Sequence, residues 1–515
     1  MIKGNKETKL TNNISPSKGL GGFRWIDCLI FALLGFFVIY KFAQYSGIGI
    51  SPDSIMYAST AQNLHDHFSI ITFNGKPLTF FPVFYPFFLS ICIFISGGAD
   101  PVAMGPYING ILFGAVIFLT GWMTTRFRNP SIIYKWLIMA AVLLAPALQE
   151  IYTYLWSETL FILTIIVFII AYRQYLHEHT YKALLVAAIV AAISCITRYA
   201  GITVVATGCL LILIDAELKL NKKIAHLFTF GAVGISLLVA NLIMNRVNTG
   251  LSTGTREPSI TPLSENLHYF GTVILDWAGL PAQLDVIATA FTLIVLLGLI
   301  GLLLWKAFKH KLDSYENVVI AFAVVYSLFI LIIATVSRFE RMNSRLISPL
   351  FVPLLLSFTL WVPYIINHIR FSKKWLLATP FVIAMLAFEY TIYKIDYQRY
   401  DDFYEYGIPG YTDDDWNKSQ FIQFLKTHKH IFDPKIPIYS DADEAVYMFT
   451  GMHSTLIPHK FFKKDVNEFL SHPRFYLIDF KAQESTELLS LKDIQAHRKL
   501  KLLHDYPEGS VYITE

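Results

Sequence analysis

The sequence predicts a polytopic all-α membrane protein of about eleven transmembrane helices, N-terminus inside and C-terminus outside, with a small C-terminal extracytoplasmic α/β domain. Three observations lead there. Of the 515 residues, 54% are hydrophobic and 16% charged, with a mean hydropathy of +0.48, outside the balance of a soluble domain. Apolar runs long enough to cross a hydrocarbon core of about 30 Å recur as far as residue 392, and β-barrels lack such runs. Lys and Arg gather in short loops that fall on one side.

Each element follows in order. Residues 1–25 read as a cytoplasmic tail. Lys3, Lys6, Lys9, Lys18 and Arg24 precede the apolar run from Ile26 to Tyr40, which has no small-residue cleavage site and reads as a signal anchor. The transmembrane domain covers 26–392, with spans near 26–43, 104–124, 131–149, 157–172, 183–197, 200–216, 227–244, 286–305, 317–336, 346–366 and 376–392. This set places Arg126-Phe-Arg128, Arg173 to Lys182, Lys219 to Lys223, Lys306 to Lys311 and Arg370 to Lys374 inside. Phe80 to Ser96 would reverse every later loop if it crossed, so it reads as re-entrant or lying along the outer surface. Pro82 and Pro86 fit its irregular start.

The outer segments are 44–103, 245–285 and the domain 393–515, where charge rises sharply at Asp401-Asp402 and Asp413-Asp414-Asp415. Thr412 is the expected N-cap of an amphipathic helix through Lys426. Ile436 to Tyr439 and Phe475 to Asp479 read as buried strands, with a helix from Asp443 to Phe449 after the first.

Composition excludes several functions. A formal charge of +4, spent on loop orientation, leaves nothing for nucleic acid. Cys28, Cys92, Cys195 and Cys209 lie in apolar stretches without metal-ligand spacing and read as core filling. His65-Asp66-His67 does not converge on one helix face and reads as a solvated turn. No cofactor is expected and no divalent metal is assigned.

The outer helix ends and loops instead gather Asp53, Lys76, Glu158, Arg198, Arg256, Arg338, Arg341 and Arg345. Charge at membrane depth needs a partner or a function. Asp53, in Ser51-Pro-Asp-Ser-Ile-Met-Tyr57, is placed to accept a proton from an attacking hydroxyl, and its structural alternative is a helix N-cap, a role open to Ser51 as well. Glu158 has helix-terminal electrostatics as its alternative. Arg338, Arg341 and Arg345 suit a phosphate, because guanidinium groups donate paired hydrogen bonds to it; the alternative pairs Glu340 with one of them. Three arginines in an outer loop run against the positive-inside bias, which favours function.

The order of these features resembles the GT-C superfamily of membrane glycosyltransferases, in the branch similar to bacterial protein O-mannosyltransferases and aminoarabinose transferases. The residues that carry the likeness are Asp53, Gly75-Lys-Pro-Leu-Thr-Phe-Phe-Pro-Val-Phe-Tyr-Pro86, Ser157-Glu158, Thr197-Arg-Tyr-Ala-Gly201 and Asn343-Ser-Arg-Leu-Ile-Ser-Pro349. The resemblance implies Asp53 as general base and Arg345 as holder of the carrier phosphate, with Arg341, Arg338 and Lys76 assisting. It departs from the family where Ser54 follows Asp53 in place of a second acid. Glu158, Arg198, Tyr57 and Tyr85 are expected around the base or the sugar.

The expected protein is an inverting glycosyltransferase of the cell membrane, its active site on the extracytoplasmic side. It would move a hexose or pentose from a polyprenyl-phosphate carrier to a hydroxyl of a lipid-linked, glycan or protein acceptor, among membrane lipids. The rivals are an O-antigen-type polymerase or ligase, a lipid or sugar transporter, and an assembly factor that uses the outer domain to bind. Transporters usually show internal repeats, and no such symmetry is visible in the sequence.

Overall fold

The computed structural model describes residues 25–254, 257–309, 312–338, 341–368, 374–481 and 487–515. The expectations placed on the tail 1–24, Arg256, Glu340 and most of Arg370 to Lys374 lie outside the described residues. The chain is mostly helical, as its apolar runs require, because backbone polar groups in lipid must be satisfied within the segment.

Six helical segments are long and apolar enough to cross a membrane among the described residues: Pro101–Thr124, Glu158–Glu178, Leu220–Thr249, Ala282–Phe308, Tyr315–Val336 and Ser344–Ile366. Other segments read as spans form shorter helices, Ile26–Phe42 and Tyr181–Thr197 among them, each 17 residues. At 1.5 Å per residue these reach about 25 Å. The expected span 131–149 is broken into Ile132–Leu143 and Pro146–Tyr152, bent by 52°. Pro146 supplies no backbone N–H and disfavours helix in the residue before it, so it opens a new helix and ends the old one. Phe84–Ile95 is a helix of 12 residues, about 18 Å long and too short to cross.

Small residues set the tightest packing. Ile26–Phe42 lies along Pro101–Thr124, and a Cβ on Gly114 would stand 2.8 Å from the Ala32 carbonyl oxygen. Such close backbone approach is how helices associate where water offers no hydrophobic drive. The buried Lys135 ammonium pairs with Asp27, which also accepts from Trp136 Nε1 at 2.8 Å, so this inward charge is compensated.

One expected helix end needs correction. The helix expected to close near residue 392 runs from Lys374 to Tyr406, since the charges from Lys394 to Asp402 sit on a continuing helix. It stops at Gly407, whose φ of 86° favours glycine. The segment 245–285 holds a helix, Leu263–Trp277.

Beyond Gly407 lies one five-stranded sheet: β1 Ile438–Ser440, β2 Thr455–Leu456, β3 Tyr476–Phe480, β4 Leu500–Tyr506 and β5 Gly509–Thr514, in the order β2-β1-β3-β5-β4. β1 pairs parallel with β2 and β3, while β5 pairs antiparallel with β3 and β4. The first helical turn is capped by Asp413, which accepts from Trp416 N–H at 3.1 Å, and not by Thr412. The helix expected through Lys426 is two: Asp414–Asn417, and Gln420–Thr427 capped by Ser419.

This unit is seated on the segment just ahead of Pro52. Tyr411 N–H donates to Ile50 C=O at 2.9 Å and Ile408 N–H to Ser46 Oγ at 3.0 Å. Phe73 meets Tyr447 with ring centroids 5.0 Å apart.

Candidate active site

Asp53 is the second residue of the helix Pro52–His67. Ser51 is the N-cap, in a capping box with Ser54, whose Oγ accepts the Ser51 N–H at 3.1 Å. The capping role is therefore filled by a neighbour, and the Asp53 carboxylate is left to other partners. Ser51 is fixed in turn by Trp156 Nε1, which donates to its Oγ at 2.7 Å.

The main partner of Asp53 comes from the far end of the membrane domain. Arg345 Nη2 reaches Asp53 Oδ2 at 2.5 Å, and Arg345 Nε donates to Glu158 Oε1 at 2.6 Å. Glu158, 1% exposed, opens the helix Glu158–Glu178 and takes a second cation on its other oxygen, Arg198 Nη1 at 2.6 Å. Arg198 also donates to Ser157 Oγ at 2.9 Å, which lies 3.1 Å from the Tyr57 hydroxyl. Asp53, Arg345, Glu158 and Arg198 thus form one alternating chain of charge. The Trp156 ring, stacked on Tyr154 at 4.2 Å, underlies the Arg345 guanidinium at 3.9 Å. That floor holds the guanidinium flat by a cation–π contact.

Tyr57 and Tyr85 are both buried, with ring centroids 5.0 Å apart and Phe81 against Tyr57 at 4.9 Å. They form an aromatic wall behind Asp53. Lys76 is exposed in a tight turn where Thr72 N–H donates to Lys76 C=O at 2.8 Å, and its charge is felt by Asp443.

The three arginines of the late outer segment separate. Arg338 binds Glu257 at 2.9 Å and Glu487 at 2.7 Å and lies over Phe461, so it ties that segment to the C-terminal unit and stands apart from the Asp53 group. This ion-pair bridge engages the guanidinium that the sequence reading offers to a phosphate. Arg341 lies 4.1 Å from the Tyr269 ring and lines a cavity of about 770 Å³ with Glu150, Asp276, Trp277 and Arg399. Ser344, next to Arg345, is on the same wall, where Trp277 Nε1 donates to its Oγ at 2.9 Å. Arg399 and Glu150 escaped the sequence reading because each lies beyond the expected end of a span, 392 for one and 149 for the other.

Among the described residues no three His, Cys, Asp or Glu side chains are grouped to hold a metal, and His65 pairs with Asp66 at 2.7 Å.

No family model matches the chain, and no curated protein matches it in sequence. Solved structures do match in fold. ArnT from Cupriavidus metallidurans superposes with a TM-score of 0.56 at 10% identity, over 95% of this chain and 97% of that one. The same protein bound to undecaprenyl phosphate gives 0.55 at 11% identity over 96% and 98%. The archaeal oligosaccharyltransferase AglB from Archaeoglobus fulgidus, in complex with an inhibitory peptide and a dolichol-phosphate, gives 0.53 at 10% over 89% and 70%. The chain has a GT-C-like fold.

Proposed function

We propose that this multi-pass membrane protein transfers a sugar from a polyprenyl-phosphate carrier to an acceptor hydroxyl at the extracytoplasmic face. The observation that carries the reading is Arg345, a guanidinium held between Asp53 and Glu158 beside a large cavity that Arg341 lines. The likeness to ArnT bound to undecaprenyl phosphate supports a lipid-phosphate ligand.

The proposed roles follow in sequence. The cavity at Arg341 and Arg399 combines apolar walls with these two cations and the acids Glu150 and Asp276, and Arg341 is the cation offered to the phosphate end of a lipid tail. Arriving phosphate oxygens compete for the Arg345 nitrogens, and the paired donors of a guanidinium match them. Glu158 and Arg198 keep the Arg345 stem in place while its Nη2 changes partner.

Asp53, released from Arg345, takes the proton of the acceptor hydroxyl as that oxygen bonds to the anomeric carbon. The carbon–oxygen bond to phosphate breaks, and its electron pair leaves with the phosphate, whose growing charge Arg345 stabilises. A single displacement inverts the anomeric configuration.

The test compares purified wild type with Asp53→Asn, supplied with polyprenyl-phosphate sugars and a membrane extract as acceptor source, and follows release of free polyprenyl phosphate. The variant should retain donor binding and lose turnover. Equal turnover in both proteins would overturn the mechanism.

A further inference from the structure

The C-terminal unit carries polar groups that the reaction above leaves without a task. The helix Asp443–Thr450 begins with adjacent carboxyl groups, Asp443 and Glu444, 3% and 7% exposed. It packs against the Pro52–His67 helix, which carries Asp53. Burial pushes the Asp443 carboxyl up to about 9, with Glu444 adding to the effect, and pushes Glu444 up as well, helped by the nearby Asp53 charge.

Two polar atoms here have no partner among the described residues. Asp443 Oδ1 is one and the Tyr411 hydroxyl, 2% exposed, is the other. Tyr411 feels the charges of Glu444, Asp443 and Asp441, in that order, so its hydroxyl faces the acidic group. Asp441 itself is occupied, accepting Phe480 N–H at 2.9 Å. Buried polar atoms are nearly always paired, and leaving one unpaired costs free energy. Here the phenol is delivered by a backbone bond to Ile50, three residues before Asp53. Solvent reaches the edge of the group, since Asp53 is 27% exposed and Lys76 is exposed.

In a single displacement the acceptor oxygen and the leaving phosphate stand on opposite sides of the anomeric carbon. Arg345 is given to the phosphate, so the acceptor must approach Asp53 from another direction, and the helix that supplies Glu444 is one of those packed on the Asp53 helix. We propose that Tyr411, Asp443 and Glu444 form the acceptor side of the site and bind sugar hydroxyl groups of an uncharged glycan. This rests on the glycosyltransferase reading.

The chemistry selects that class. A phenol and two adjacent carboxyl groups offer several donors and acceptors close together, which matches the neighbouring hydroxyls of a sugar ring and exceeds what one serine hydroxyl can use. Held up to about 9, the Asp443 carboxyl keeps its proton near neutral pH, so the group meets an acceptor with hydrogen-bond donors and acceptors and not with paired charge, which suits an uncharged glycan.

The experiment uses the full chain in detergent with a polyprenyl-phosphate sugar and two readouts. One is hydrolysis of the donor by water without acceptor; the other is transfer to glycans from a membrane extract, separated into neutral and acidic fractions. Tyr411→Phe removes only an oxygen that has no partner, so it should fold as wild type; Glu444→Gln keeps the shape of the side chain. Both should lose transfer to the neutral fraction by on the order of tenfold and keep donor hydrolysis within about twofold. Wild-type transfer by Tyr411→Phe, or transfer confined to the acidic fraction or to protein, overturns this proposal alone. Donor hydrolysis that survives Arg345→Ala overturns the donor assignment, and this proposal with it.

Discussion

Arg345 and Asp53 are separated by 292 residues and joined by a 2.5 Å contact, with Glu158 gripping the other edge of the same guanidinium. An arginine that is shared in this way can release one carboxylate and keep its place on the other. A lysine has a single ammonium and cannot span both. Arg345→Lys should lower turnover by about 100-fold while the protein stays folded. Steady-state release of polyprenyl phosphate, with thermal unfolding as the folding control, checks this.

Glu158 is almost fully buried and carries both arginines. Its replacement by Gln leaves Arg198 without this counter-charge and Arg345 with Asp53 alone, and breaking one side of a buried pair typically costs about 3–5 kcal/mol. Glu158→Gln should therefore unfold at a lower temperature as well as lose activity. A wild-type melting temperature would show that the pairing is dispensable for the fold.

Arg338 is committed to Glu257 and Glu487. Partly exposed pairs of this kind contribute roughly 0–1 kcal/mol. Arg338→Gln should speed limited proteolysis of the C-terminal unit and leave the apparent affinity for polyprenyl phosphate within about twofold, whereas Arg341→Gln should weaken it by on the order of tenfold. Equal effects of the two changes on lipid-phosphate affinity would place Arg338 back with the donor.

Burial holds the Asp441 carboxyl up to about 7 and that of Asp443 up to about 9. In the unfolded chain both ionise near 3.9, so between these values the folded state keeps protons that the unfolded state gives up. Their contribution to stability is therefore whole below about pH 4 and declines as pH rises through 7 and on to 9. Melting temperatures of the full chain should fall from pH 5 to pH 9, with a shallower slope in Asp443→Asn.

The legible part of this protein was its order of charges against its order of helices. Asp53 follows the first apolar run, and Glu158 and Arg198 sit at helix ends, so each was conspicuous as a charge beside lipid-facing sequence. Which arginine meets which acid was not legible. Arg338 pairs with Glu487 across 149 residues, and no local spacing encodes that contact. Asp443 and Glu444 were masked because acids in a first helical turn already have a local reason to exist. The break at Pro146 was hidden for the opposite reason, since the apolar run continues through it and length alone reads as one crossing.

The bond from Tyr411 to Ile50 has a bearing on how the protein is made. Ile50 and Asp53 leave the ribosome early, Arg345 follows nearly 300 residues later, and Tyr411 and Glu444 later still. The early helices can enter the membrane long before the guanidinium, phenol and carboxyl groups exist to meet Asp53. On the proposed reading, a chain that has reached Arg345 holds the donor groups, and the acceptor groups arrive with the last-made unit. Ribosome stalling or premature termination within that unit should yield membrane-resident protein that hydrolyses the donor but does not transfer its sugar to a neutral glycan.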